Sequence, residues 1–320
     1  MDQLLKVKVA RKKQEALDIC SFELVPADGG ALPAFVAGSH IDVHTPGGPV
    51  RQYSLSTAPG DHSHYRIAVK KEPESRGGSK AMHETLNEGD LLSISVPRNN
   101  FALVPAAKHH LLIAGGIGIT PLLGMARQLS RAGADFSLVY FSRSVAHTAF
   151  HDLLSAPEYR GRVTFHYALE PEHVRAYLRR MLWTRPPDGH LYLCGPRLFM
   201  DLVEATAAPT WAPDAVHLEY FSADPASLAG PKGSFVVKLA RDGGEFEIAE
   251  GRTIIEVLAE HGVMVDTSCE QGVCGTCLTG VLEGLPDHRD VFLTDAEKCT
   301  NDRMTVCVSR ALTPRLVLDL

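Results

Sequence analysis

The sequence predicts a multidomain fold: an antiparallel β-barrel, then a doubly wound α/β domain, then a small α+β domain. Three observations carry this. The N-terminal third consists of short strand-like runs punctuated by turns such as Thr45-Pro-Gly-Gly-Pro49 and Pro59-Gly-Asp61, the pattern of a small antiparallel barrel. From Lys108 apolar strands alternate with helices, which implies a parallel sheet binding its ligands at the carboxyl ends of the strands. Beyond a stretch rich in Pro, Gly, Ala and Ser, Ser222 to Ser234, the pattern returns to strand, strand and helix around a loop of cysteines. At ~100–200 residues per domain, a chain of 320 residues holds two or three. The boundaries are set at 1–105 for the barrel, 106–225 for the α/β domain, 226–234 for a linker and 235–320 for the last domain.

In order along the chain, Met1-Asp-Gln-Leu-Leu-Lys-Val-Lys-Val9 is strand-like and has no apolar signal core. Arg51-Gln-Tyr53-Ser54 lies on a strand and offers a guanidinium and an aromatic wall to a ligand, although an exposed barrel strand reads the same way. Arg76-Gly77-Gly78-Ser79 precedes the helix-like run Lys80 to Leu86 and fits either an anion cradle or a capped surface helix. His110-Leu-Leu-Ile-Ala114 is a buried strand, Gly115-Gly-Ile-Gly-Ile119 a turn, and Thr120 to Leu129 a helix with Pro121 in its first turn. Such a junction presents backbone amides and a helix N-terminus to a phosphate. It departs from G-x-G-x-x-G, since Pro121 stands where the third glycine would be, and it also reads as a plain tight turn. Cys194-Gly195-Pro196 closes another buried strand, with Cys194 either a small core residue or part of a ligand crevice. In the last segment Phe235 to Ala240 and Glu245 to Ile248 form a hairpin across Arg241-Asp-Gly-Gly244, and Thr253 to Gly262 is a capped helix ending in glycine.

The cysteines carry the chemistry. Cys269-Glu-Gln-Gly-Val-Cys274-Gly-Thr-Cys277 has C-x4-C-x2-C spacing, with a distant fourth cysteine, which is the ligand pattern of a plant-type [2Fe–2S] cluster. Gly272 and Gly275 let backbone amides approach it. A structural zinc site would show a second C-x2-C knuckle, and this loop has none. Seven cysteines, an odd count, do not make a disulfide framework and indicate a reducing compartment, the cytoplasm. Two cysteines compete as fourth ligand. Thr294-Asp-Ala-Glu297 is a capping box that places Cys299 on a short helix. Cys307 lies in the strand-like run Met304-Thr-Val-Cys-Val308, which suits an inward-facing ligand, and is the choice. Four thiolates on two irons carry one electron at a time.

Composition excludes other classes. Hydrophobic residues make up 45% and charged residues 22%, as in an ordinary globular protein. There is no basic stripe for nucleic acid. The longest uncharged stretch, Leu111 to Ala126, is broken by glycines and a proline and falls short of the ~18 apolar residues of a membrane span. Residues 231–320 hold 15 Asp and Glu against 9 Lys and Arg, a net of −6, whereas the remainder holds 23 of each. The acidic last segment suits docking to a basic partner surface, and equally a solvated face that keeps the protein soluble.

Arg51-x-Tyr53-Ser54, Arg76-Gly-Gly-Ser79, Pro97-Arg-Asn-x-Phe101, Ala114-Gly-Gly-Ile-Gly-Ile-Thr-Pro121, Cys194-Gly-Pro196 and Glu219-x-Phe221 occur in this order, followed by the ferredoxin-like tail. Together they resemble the phthalate dioxygenase reductase family, which includes vanillate demethylase reductases, over nearly the whole chain. The resemblance implies an FMN-binding barrel, an NAD domain and a C-terminal plant-type ferredoxin. It further implies that Arg51, Tyr53 and Ser54 hold FMN, with the backbone at Val69 and Lys70 along its ring and Gly77, Gly78 and Ser79 on its phosphate. Thr120 would lie near flavin and nicotinamide, and Phe221 would stack beside the flavin. Gly115, Gly116, Cys194, Gly195 and Pro196 would border the dinucleotide, and Ser142 and Arg143 its adenosine ribose. NADH is the donor the resemblance implies, but Ser142-Arg143-Ser144 lacks the acidic residue expected on a ribose 2′-hydroxyl, so NADPH is not excluded.

The implied function is that of the reductase component of a Rieske-type oxygenase. Hydride arrives as an electron pair, the cluster takes single electrons, and a flavin joins the two; no acid–base residue is assigned. A terminal oxygenase docking at the acidic ferredoxin domain is the expected partner. A stand-alone NAD(P)H:acceptor flavin reductase and a redox sensor with little turnover are the alternatives.

Overall fold

The computed structural model describes residues 4–73, 77–223, 228 and 233–320. Arg76, and the expected linker except for Leu228, Gly233 and Ser234, lie outside the described residues. The chain divides into two compact units, Met1–Glu219 and Tyr220–Leu320.

The first unit opens on strand β1 (Leu4–Ala16), where fully buried Val7 and Val9 alternate with exposed Lys6 and Lys8, the period-2 signature of a half-buried strand. It is followed by β2 (Ile19–Pro26), β3 (Ser39–His44), β4 (Val50–Ser54), β5 (Tyr65–Lys70), helix α1 (Gly78–Glu84), β6 (Leu91–Ser95) and the short β7 (Arg98–Asn99). The sheet is antiparallel in the order β4-β3-β6-β1-β2-β5, with β7 on β3. The Ser56 N–H donates to the Arg66 carbonyl at 2.8 Å, so the chain just past one edge strand meets the other, as barrel closure requires. Phe22, Leu24, Ile41, Tyr65, Ile67 and Ile94 fill the interior. Each such side chain contributes about 1.5–3 kcal/mol by leaving water.

The same unit continues as β8 (His109–Gly115), α2 (Ile119–Arg131), β9 (Phe136–Ser142), α3 (His151–Leu154), β10 (Val163–Tyr167), α4 (Pro171–Leu182), β11 (Gly189–Cys194), α5 (Arg197–Ala207) and β12 (Val216–Glu219). All five strands run parallel in the order β10-β9-β8-β11-β12. The order reverses between β8 and β11, and a doubly wound sheet binds ligands at such a switch point. α2 begins at Ile119, and a 3-10 turn, Gly116–Gly118, joins it to β8 without an open loop. Leu122, Leu123, Met125 and Ala126 of α2 share one core with Ala16, Ile19, Ala68 and Phe101 of the barrel segment. A Cβ on Gly124 would stand 2.8 Å from the Leu55 carbonyl oxygen, so the helix backbone rests directly on the barrel. Shared burial of this kind fixes the barrel's β1–β2 turn against the carboxyl ends of the parallel strands.

The second unit contains β13 (Phe235–Leu239), β14 (Glu245–Ile248), α6 (Ile254–Glu260), β15 (Leu278–Glu283), β16 (Pro286–Asp287), α7 (Asp295–Thr300), β17 (Arg303–Thr305), β18 (Arg310–Ala311) and β19 (Arg315–Leu318). Its main sheet runs β14-β13-β19-β15-β17, with β13 and β19 parallel and the other pairs antiparallel. Thr253 and Thr294 cap α6 and α7 through capping boxes, each closed by a reciprocal Thr–Glu exchange with the helix's own amides. Phe235, Val237, Leu258, Met304 and Leu316 make the core, which also takes in Cys277 and Cys307.

Candidate functional site

Between α6 and β15 the chain has no regular structure, and Cys269, Cys274 and Cys277 lie there, followed by Cys307 just past β17. Cys269, Cys277 and Cys307 are buried and Cys274 half-buried, whereas Cys299, on α7, is exposed. Cys307 occupies a turn directly after β17, not the strand expected from its sequence. The Val306 N–H donates to the Cys277 carbonyl across that turn. The thiols meet as two pairs, Cys269 with Cys274 and Cys277 with Cys307. In each pair the mutual hydrogen bond holds one thiol up and the other down: Cys269 and Cys307 rise, Cys274 and Cys277 fall. Among the described residues no three Cys, His, Asp or Glu side chains are grouped closely enough to hold a single ion. Paired thiolates suit two irons with two protein ligands each.

Main-chain donors face these sulfurs. The Gln271 N–H reaches Cys269 Sγ at 3.3 Å, and the Thr276 N–H reaches Cys274 Sγ at 3.5 Å. The Val273 amide lowers Cys269 and the Gly272 amide lowers Cys307. Hydrogen bonds to thiolate sulfur are what tune such a cluster. The loop glycines are required by shape as well as by conformation. Gly272 and Gly275 sit at φ 69° and 74°, and their Cβ atoms would fall 2.7 Å from Val308 Cγ2 and 2.2 Å from the Phe292 ring. The donor set therefore fits a [2Fe–2S] cluster.

In the first unit, the residues expected at the flavin fall on β4, β5, α1 with its N-cap Gly77, and the start of α2. Gly78 lies against Arg51, where a Cβ would stand 3.1 Å from Arg51 Cγ, and open space surrounds the Cβ position of Gly77. Ser79 Oγ accepts from the Glu72 N–H at 3.2 Å. Burial pushes the half-buried Tyr53 hydroxyl up to about 12. Val69 is buried and its carbonyl accepts from His83 Nε2 at 2.8 Å, while Lys70 Nζ pairs with Glu72 at 2.7 Å. Thr120 is buried and its hydroxyl donates to the Ile117 carbonyl at 3.1 Å. A guanidinium beside two glycines, with a tyrosine two residues on, fits a phosphorylated aromatic cofactor. Phe221 follows two residues after Glu219 and is 41% exposed.

One pairing was not assigned from the sequence. Ser54 Oγ donates to Glu219 Oε2 at 3.1 Å across 165 residues, and Cys194 lies opposite Glu219 in the β11–β12 register. Burial lifts the Glu219 carboxyl to about 8 against the opposing Ser54 hydrogen bond. It also raises the Cys194 thiol well above its ordinary value, reinforced by the Glu219 charge. The motif Glu219-x-Phe221 marked the residue, but the strand crossover that brings Ser54 to it leaves no local signal.

A cavity of about 600 Å³ opens at the carboxyl ends of β8, β9 and β10, within the ~300–1,000 Å³ range of small-molecule sites. Gly115, Gly116, Ser142, Arg143, Pro196 and Phe199 line it together with Asp18, Lys70 and Glu170. Cys194 and Gly195 sit behind this wall: Cys194 is fully buried, and a Cβ on Gly195 would stand 3.0 Å from Gly115 Cα. Gly118 is tighter still, with a Cβ position 2.2 Å from the Cys194 carbonyl oxygen. The two turns thus back onto each other, and only glycine permits that approach.

Residues 237–312 match the family model for a 2Fe-2S iron-sulfur cluster binding domain. The full chain is 46% identical to a vanillate O-demethylase oxidoreductase of Pseudomonas sp., over 99% of this chain and 100% of that one. It is 42% identical to a phthalate dioxygenase reductase of Burkholderia cepacia, over 100% and 98%. The solved structure of a phthalate dioxygenase reductase superposes with a TM-score of 0.81 at 42% identity, covering 99% of this chain and 98% of that one. The chain belongs to the phthalate dioxygenase reductase family. Its antiparallel barrel, doubly wound sheet and iron–sulfur domain are those of this reductase family, whose redox groups are NADH, FMN and a [2Fe–2S] cluster. This family member is accordingly an electron-transfer oxidoreductase.

Proposed function

We propose that this reductase takes hydride from NADH onto FMN at the barrel and passes single electrons through its cluster to a Rieske-type oxygenase component. The observation that carries the reading is the set of four cysteines paired in the second unit with main-chain N–H groups on their sulfurs. Cys269, Cys274, Cys277 and Cys307 are its cluster ligands. Burial of Cys307 and exposure of Cys299 support that choice, as a solvent-facing thiol on a helix is poorly placed to ligate an interior cluster.

Bound flavin accepts an electron pair as hydride and releases electrons one at a time, which a cluster can accept. The chain's own residues do the rest. Arg51, Gly77, Gly78 and Ser79 hold the FMN phosphate, and Tyr53, Ser54, Val69, Lys70 and Thr120 border its ring. Gly115, Gly116 and Pro196 with Ser142 and Arg143 hold the dinucleotide, and Cys194 and Gly195 support that wall from behind. Glu219 holds a proton at neutral pH and accepts from Ser54, so this pair sets a neutral carboxyl, not a charge, beside the flavin-binding strand. Functionally the chain divides at 1–105, 106–225 and 235–320. The oxygenase docks on the acidic ferredoxin segment, in the cytoplasm. Among the described residues no helix is long and apolar enough to cross a membrane.

The reading is tested on purified protein. We expect flavin and cluster bands together, a released flavin with the mass of FMN, and bleaching of both bands by NADH. Cys307→Ser should abolish the cluster bands while Cys299→Ser keeps them; the reverse outcome refutes the ligand assignment. NADH bleaching without transfer to any oxygenase component, but with rapid reduction of free flavin, would indicate a stand-alone flavin reductase.

A further inference from the structure

A dinucleotide site that takes NADH and refuses NADPH needs a carboxylate at the adenosine ribose, where it accepts from the 2′-hydroxyl and repels a 2′-phosphate. The turn after β9, Ser142-Arg143-Ser144, has none. Its serine is already engaged: Ser142 Oγ lies 2.7 Å from Thr148 Oγ1 and 3.2 Å from the Ser144 carbonyl. Its arginine, 69% exposed, would by itself attract a 2′-phosphate.

The fold brings the carboxylates from two other places. Tyr167 of β10 lies opposite Ser142 of β9 in register, and three residues later Glu170 lines the same cavity as Ser142 and Arg143. Glu170 is exposed, and its carboxylate has no hydrogen-bond or ion-pair partner among the described residues. Asp18 comes from the β1–β2 turn of the barrel, lines the same wall, and has Oδ2 3.6 Å from Arg143 Nη2. The cavity therefore presents one unpaired carboxylate and one arginine already partnered by another.

We propose that Glu170, together with the Asp18–Arg143 pair, selects the unphosphorylated ribose and thereby NADH over NADPH. Glu170 accepts from the 2′-hydroxyl and repels a phosphate placed there, while Asp18 keeps Arg143 from compensating that phosphate. This rests on the assignment of the cavity to the dinucleotide.

The test uses the full holoprotein titrated calorimetrically with 5′-ADP and with 2′,5′-ADP, which carry no nicotinamide and so report binding alone. We expect the parent to bind 5′-ADP at least about tenfold more tightly than 2′,5′-ADP, the scale of one hydrogen bond to a charged group. Glu170→Gln should narrow that ratio about tenfold, by easing repulsion more than it weakens 5′-ADP. Asp18→Asn should tighten 2′,5′-ADP specifically, and only while Arg143 is present: in an Arg143→Ala background it should change nothing. In steady state the gain for NADPH should fall on KM. If 5′-ADP binds the parent but Glu170→Gln and Asp18→Asn leave the ratio unchanged, the selector is refuted and the cavity assignment stands. If 5′-ADP neither binds nor competes with NADH, the cavity assignment itself fails. Glu170, Asp18 and Arg143 are all exposed, so these substitutions leave the core intact.

Discussion

Loss of water around the half-buried Glu219 pushes its carboxyl up to about 8, and the Ser54 hydroxyl donating to it only partly offsets that. In the unfolded chain the same group titrates near ~4.3. Between these values the native state keeps a proton that the unfolded state has released, so raising the pH through this window lowers stability. Below both values the two states carry the same proton and the slope vanishes. Glu219→Gln retains an acceptor for Ser54 and removes the titration. We expect its melting temperature to fall less steeply than the parent's between pH 5 and about 8. A variant whose melting curve keeps the parent's pH dependence would show that the carboxyl ionises freely in the fold. Ser54→Ala, which deletes one hydrogen bond worth ~1 kcal/mol, should leave that slope in place, so the two variants separate the proton from its partner.

At the scale of elements, the junction of β8 and α2 with the end of β11 decides whether the cavity wall forms. Gly118 meets the Cys194 carbonyl oxygen at 2.2 Å from its Cβ position, whereas Gly116, at φ 54°, has nothing within 4 Å. Gly116→Ala should therefore cost only the left-handed penalty of ~1–2 kcal/mol. Gly118→Ala must displace main chain on β11, and we expect a larger loss in chemical denaturation together with loss of NADH binding. Equal, small losses for both would mean that the two turns are not in contact. The sequence marked this junction as a glycine turn without distinguishing its glycines, because the difference lies in a strand some seventy residues away. The barrel and the parallel sheet were legible from strand spacing and from the strand–helix alternation after Lys108. The start of α2 was not, since the 3-10 turn Gly116–Gly118 runs straight into the helix. Cys307 was read as strand because its neighbours are apolar, yet β17 stops at Thr305. Those apolar neighbours, Val306 and Met304, serve the core beside Cys277. The missing ribose carboxylate was illegible for a related reason: Glu170, at the start of α4, and Asp18, from the barrel, line the same cavity as Arg143.

Over the whole molecule, formal charge is unevenly distributed along the chain. Residues 231–320 carry the entire formal charge of −6, and Glu245, Glu247, Glu250, Glu283 and Asp295 are exposed on the second unit. Asp266 and Met264, exposed a few residues before Cys269, flank the cluster loop. Carboxylates near an electron-exit site accelerate encounter with a basic partner and contribute less to the lifetime of the complex. Their effect fades as salt shortens the ~10 Å Debye length of a 0.1 M solution. We therefore expect Asp266→Asn to slow reduction of the oxygenase component several-fold at low ionic strength and to flatten its salt dependence. Reduction of ferricyanide, a small acceptor that needs no protein docking, should proceed at the parent's rate. The paired assay isolates docking from electron supply, because both acceptors draw on the same NADH-reduced protein. Equal slowing with the two acceptors would place the defect at the cluster or upstream of it, and the acidic segment would then serve solubility alone.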